Sequence, residues 1–169
     1  MELWGARLFG DPCDECGWRW PDDPSASIDS VRRLPELYRG LVEGCSGSEQ
    51  LPGLGWSVTG YVCHVADNLL SWAGRVAGVL RGGDPHVAGY DPDALGAARG
   101  YEHLSLQAAL WSLEIGVEAW VPVLTEATSL DVVLLHSTRG EQRAADVAGN
   151  NAHDAHHHGW DIARTLREA

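Results

Sequence analysis

Half of the chain's eight histidines, His153, His156, His157 and His158, fall within six positions of one stretch, Asn150-Asn151-Ala152-His153-Asp154-Ala155-His156-His157-His158-Gly159-Trp160. On a helix, residues four apart project from one face a single turn apart, so the imidazoles of His153 and His157 could grip one metal ion. Two histidines at that spacing make half a site, and a third ligand has to come from elsewhere in the chain. The same stretch also reads as the solvated polar part of a C-terminal helix. A purification tag is a poorer reading, because residues 159–169 continue with an ordinary amphipathic pattern.

A second group of donors lies near the start, in Cys13-Asp14-Glu15-Cys16-Gly17-Trp18. Such a knuckle uses its glycine for the tight turn that lets two thiolates face one zinc ion. A structural zinc held by Cys13 and Cys16 needs two more ligands, from Cys45, Cys63, a histidine or a second subunit, and the spacing selects none of them. Two unligated thiols in an N-terminal loop are an equal reading. A redox pair is a weaker one, because no βαβ pattern surrounds the motif.

Composition narrows the partners. With a formal charge of −12 and no lysine, the surface repels nucleic acid and anionic membranes, which leaves small molecules as the expected partners. The 169 residues suit one domain with a real core. No basic segment followed by an apolar stretch opens the chain, and no stretch of about 18 apolar residues stands out, so a cytoplasmic protein is expected.

The elements that must position these donors read as helices. Residues 1–26, rich in proline and aspartate, form an irregular leader carrying the cysteine knuckle, and residues 27–169 form the domain proper. A first helix over about 28–42 is bent at Pro35, and a second opens at the N-cap Ser57 and ends at Arg81-Gly82-Gly83-Asp84-Pro85. Asp91-Pro92 starts a short helix, Ser105 caps a third long helix that Pro122 disturbs near Thr125, and a last helix covers about 143–167. The apolar residues 130–135 fit strand or helix equally. Four principal helices with modest connections imply an all-α, four-helix bundle, where sites are built from side chains facing inward.

In such a bundle the second helix is the place to seek a third ligand. At about 100° per residue, Tyr61, His64, Asp67, Asn68 and Arg75 share one stripe of an otherwise apolar helix. A polar stripe is ordinarily the solvent face. On a helix apolar around the rest of its circumference, it can instead face a cavity.

Trp56-Ser57 followed by His64-Val65-Ala66-Asp67, with His153-Asp154-Ala155-His156-His157 on the last helix, resembles the DinB-like superfamily of metal-binding four-helix bundles. The likeness spans most of the chain and is sharpest in a bacterial branch that also begins with a Cys-x-x-Cys-Gly-aromatic knuckle. It implies a divalent metal held by His64, His153 and His157. It also implies an activity among thiol transferases that use mycothiol or bacillithiol, or a mycothiol-dependent isomerase. The chain departs from commoner members in having Asp161 where many carry Gln and Gly60 where Glu is frequent.

Three neutral imidazoles leave a metal with an open position, the arrangement of catalytic sites. A thiol or a water there is brought to its anionic form at neutral pH. Imidazoles suit zinc, nickel and iron alike, and zinc is expected on availability. Around the trio, Asp67 could accept the other N–H of His64 or be a surface carboxylate, and Asp161 could orient His157 or pair with Arg164. His156 could act as acid or base, His158 points away toward solvent, and Tyr61 and Arg75 could bind an anionic substrate. The expected function is a metal-dependent S-transferase acting on a small electrophile. The alternatives are a metal-dependent isomerase, hydrolase or cyclase, or a non-catalytic metal-binding scaffold. A homodimer is expected by analogy with this fold.

Overall fold

The structure, a computed structural model, describes residues 2–168, so the terminal positions 1 and 169 lie outside it. Its helices are α1 (Ala6–Phe9), α2 (Pro24–Arg32), α3 (Leu34–Leu41), α4 (Val58–Leu80), α5 (Pro92–Arg99), α6 (Leu106–Ser129) and α7 (Ala144–Glu168). The strands are β1 (His86–Val87), β2 (Val133–His136) and β3 (Gly140–Arg143), with a 3-10 turn over Tyr101–His103.

Side-chain caps start the helices where the sequence placed them. Ser57 Oγ accepts the amide of Gly60, Ser105 Oγ that of Ala108, and Asp91 those of Asp93 and Ala94. The bent first helix resolves into α2 and α3 meeting at Arg33, with Pro35 in the first turn of α3, where a missing N–H leaves no bond unmade. The start lies earlier than expected, inside the leader, because Asp23 accepts from Ser25 N and Pro24 occupies the first helical position.

α2/α3, α4, α6 and α7 form the bundle. α4 runs against α6 so closely that a Cβ on Gly116 would sit 3.1 Å from the carbonyl oxygen of Ala66. Trp120, Leu69, Leu113, Leu124 and Ile162 are wholly enclosed, each such side chain stabilising the fold by roughly 1.5–3 kcal/mol. Trp120 Nε1 donates to Asn151 Oδ1 at 2.9 Å, tying α6 to α7 at the level of the histidines. Pro122 does not end α6, which continues to Ser129 because Trp120, Leu124 and Ala127 are buried on either side of the missing hydrogen bond. Against expectation, α6 is by length and composition apolar enough to cross a bilayer, with a mean hydropathy of 1.2. Here its apolar side packs on α4.

Of residues 130–135, the first three turn out of α6 and strand begins at Val133. β2 pairs in parallel with β1 and antiparallel with β3, a small sheet that an all-α reading omits. β3 is polar in sequence (Gly-Glu-Gln-Arg), and only its pairing with β2, Leu134 opposite Gln142, identifies it. The leader, in turn, is docked rather than loose. Trp20 Nε1 donates to Gly10 O at 2.9 Å, Cys13 is buried, and the rings of Phe9 and Trp20 lie 4.6 and 4.8 Å from that of His153.

Candidate functional site

The first half of α4 is buried all round, so its polar stripe does not face solvent. Tyr61, His64, Asp67 and Asn68 are all buried there. Opposite them lies α7, whose helical step sets two parallel stripes side by side, one carrying 153 and 157 and the other 154 and 158. The bundle turns the second stripe toward His64.

Among the described residues, metal-ligating atoms meet in two groups. In the inner one, single donor atoms of His64, Asp154 and His158 lie within 4.8 Å of one another. Asp154 is the hub, with Oδ2 at 3.5 Å from His64 Nε2 and Oδ1 at 3.6 Å from His158 Nε2, while Asn68 Nδ2 donates to Oδ2 at 2.8 Å. Burial works against its carboxylate, but His158, His64 and Asn68 outweigh that and hold its pKa well below the ordinary range. Burial likewise opposes a charge on His158, yet Asp154 and Asp161 prevail and raise its pKa, Nδ1 lying 3.1 Å from Asp161 Oδ2. Trp56 stacks on the His64 ring at 4.9 Å.

In the outer group, donor atoms of Cys13, Cys16, His153 and His157 also lie within 4.8 Å of one another. Cys13 Sγ is 4.0 Å from His157 Nδ1, and His157 Nε2 faces Glu15 at 3.2 Å and Asp161 at 3.9 Å. Burial, with His157 next, pushes the pKa of His153 down to about 4, so its imidazole is neutral and available as a ligand at neutral pH. Burial pushes the Cys16 thiol up to about 11, with Cys13 adding to it.

The three histidines implied as one ligand set are therefore divided: His64 joins Asp154 and His158, while His153 and His157 join the cysteines. The three histidines, with Asp154 and His158, still border one cavity of about 350 Å³. The physical reason is the docked leader, which occupies the 153/157 stripe and leaves the neighbouring stripe to α4.

Other expectations sort in the same way. Asp67 does not orient His64, since its carboxylate accepts from Tyr101 Oη at 2.7 Å and from Arg99 Nη1 at 2.8 Å, a structural anchor. Asp161 does both things foreseen for it, lying against His157 and pairing with Arg164 at 3.3 Å, and it also takes His158. His158 is turned inward, its ring 4.8 Å from that of His64. His156 is exposed, its ring 5.2 Å from that of Trp18. Tyr61 packs its ring 5.1 Å from that of His158. Arg75 is held over the rings of Trp72 and Tyr90, and the guanidinium bordering the cavity is that of Arg139, which no motif marks. Asp154 and Asn68 were missed as site residues, although the four-residue spacing of Asp154 to His158 carries the same signal as that of His153 to His157.

The donors fit a divalent metal by their own chemistry: imidazoles buried or half-buried, a carboxylate held ionised, and His153 Nε2, which is buried without a hydrogen-bond partner. Fold and site together define a four-helix bundle with a histidine and carboxylate site able to take such an ion. No family model and no curated protein sequence matches the chain. Among solved structures it is similar to YfiT from Bacillus subtilis, described as a probable metal-dependent hydrolase with an unusual four-helix bundle topology. The TM-score is 0.75 at 20% identity, over 85% of this chain and 86% of that one, a likeness that speaks for the fold alone.

Proposed function

We propose that this chain is a divalent-metal-dependent enzyme acting on a small molecule, with His64, Asp154 and His158 as the ligands that face the substrate and zinc as the ion. The observation that carries the reading is the inner group itself: three protein donors, fewer than a closed tetrahedral site requires, bordering a cavity of the size of a small-molecule pocket, about 350 Å³. A divalent cation supplies at this place the Lewis acidity that favours the anionic form of a thiol or a water near neutral pH.

The surrounding residues prepare the ligands. Asp161 accepts a hydrogen bond from His158 Nδ1, which leaves Nε2 turned toward Asp154 and His64. Asn68 fixes the carboxylate of Asp154 by donating to it, and Trp56 covers one face of His64. Arg139 and Tyr90 stand on the cavity border, where a guanidinium and a phenol can orient a polar or anionic substrate.

The resemblance to thiol transferases favours transfer of a low-molecular-weight thiol of the mycothiol type to a small electrophile. The description of YfiT favours hydrolysis as the second reading. A conjugation assay with a fluorogenic electrophile, run with and without mycothiol on metal-depleted and zinc-reloaded protein, decides between them. Transfer that needs both the thiol and zinc, and that falls more than about 100-fold in His64→Ala, supports the first. Zinc-dependent cleavage of activated esters or amides without thiol supports the second. Full activity in the metal-depleted chain overturns both.

A further inference from the structure

We propose that Cys13, Cys16, His153 and His157 form a closed Cys2His2 zinc site that fastens the N-terminal segment to α7, apart from the inner group of His64, Asp154 and His158. Thiolate and imidazole in equal number are a donor set suited to zinc, and these four side chains already converge within 4.8 Å. A tetrahedral site with Zn–S of about 2.3 Å and Zn–N of about 2.0 Å sets its donors roughly 3.3–3.8 Å apart. Cys13 Sγ and His157 Nδ1, at 4.0 Å, need only a small closure to meet that geometry.

Three further observations point to a ligand here. His153 is 3% exposed and its Nε2 lacks a hydrogen-bond partner, a state that costs about 1–3 kcal/mol unless something occupies that nitrogen. His157 presents Nδ1 to the thiol while Glu15 and Asp161 stand at Nε2, the carboxylate backing that orients metal-bound imidazoles. Gly17 has φ +73° with nothing within 4 Å of where a Cβ would sit, so it is there for its backbone. It closes the knuckle by donating from N to Cys13 O at 2.9 Å.

Phe9, Trp20 and Trp160 pack their rings against the two imidazoles. Four protein ligands leave no position for substrate, so the site holds structure. It fixes the leader, which has only one helical turn of its own, and it takes as its own ligands two of the three histidines that the family resemblance assigns to one metal with His64.

Cobalt substituted into the full chain reports thiolate ligation through sulfur-to-metal charge-transfer absorption, and zinc-edge X-ray absorption counts sulfur neighbours. The tightest-bound ion in the unaltered chain is expected to show two sulfur and two nitrogen neighbours. That signature persists in His64→Ala and disappears in the chain carrying both Cys13→Ser and Cys16→Ser. A tightest ion without sulfur neighbours in the unaltered chain overturns the proposal, as does alkylation of Cys13 and Cys16 at the same rate with and without zinc. Neither readout depends on activity, so failure of this site is distinguishable from failure of the proposed enzyme.

Discussion

Replacing His158 by alanine separates the ligand set seen in the structure from the one the family resemblance implies. The substitution removes one of three donors that converge within 4.8 Å and leaves Asp154 still hydrogen-bonded by Asn68 at 2.8 Å. Four-ligand zinc sites bind with an apparent free energy of about 10–16 kcal/mol, or roughly 2.5–4 kcal/mol per ligand. At about 1.4 kcal/mol per tenfold, the loss amounts to a fall of about 10²- to 10³-fold in affinity at the inner site. The weaker-bound ion is the one to follow, by competition with a chromogenic chelator, with circular dichroism confirming that the helices persist. His64→Ala and Asp154→Ala are expected to fall by similar factors. The reasoning is refuted if His158→Ala stays within about threefold of the unaltered chain while His153→Ala and His157→Ala weaken that same ion as His64→Ala does.

Asp67→Ala is expected to lower stability by about 2–4 kcal/mol in urea unfolding, because it strands the buried Tyr101 hydroxyl and frees Arg99. Zinc affinity at the inner site stays near normal in that variant, and a large loss of affinity would mean that Asp67 orients His64 after all. The metal-depleted chain, kept in chelator, should be most stable near pH 6.5. His153, lowered to about 4, is held neutral in the fold, so its contribution is present above 6.5 and is lost as the pH falls toward 4, on the order of 3 kcal/mol. Asp154, also lowered, adds a further loss below its ordinary value of 3.8. His158 is raised, so its contribution is complete below 6.5 and is lost as the pH climbs through its folded value. Stability that rises steadily from pH 6.5 to 8.5 would contradict the placement of His158 beside Asp154 and Asp161.

Much of the scaffold was legible because its signals are local. Ser57, Asp91 and Ser105 cap the helices expected of them, each oxygen satisfying an amide within the next few residues. Pro122 misled, since the cost of one absent hydrogen bond is local while the burial of Trp120 and Leu124 that offsets it is not. β3 escaped notice for a related reason: Gln142 is buried beside Leu134, its partner across the hairpin, and that pairing is not visible in its local sequence.

The sequence by itself determined a helical bundle, a polar stripe on α4 centred on His64, a cysteine knuckle, and pairs of donors one turn apart on α7. It could not determine which pair meets His64. Residues 153/157 and 154/158 obey the same four-residue spacing and differ only by one helical step of about 100°. The rotation of α7 chooses between them, and that rotation is fixed by contacts far apart in the chain: Val147, Ala155 and Ile162 in the core, Trp120 bonded to Asn151, and Phe9, Cys13 and Trp20 seated on the stripe of His153. Local spacing sets which side chains share a face, and only tertiary packing decides where that face points.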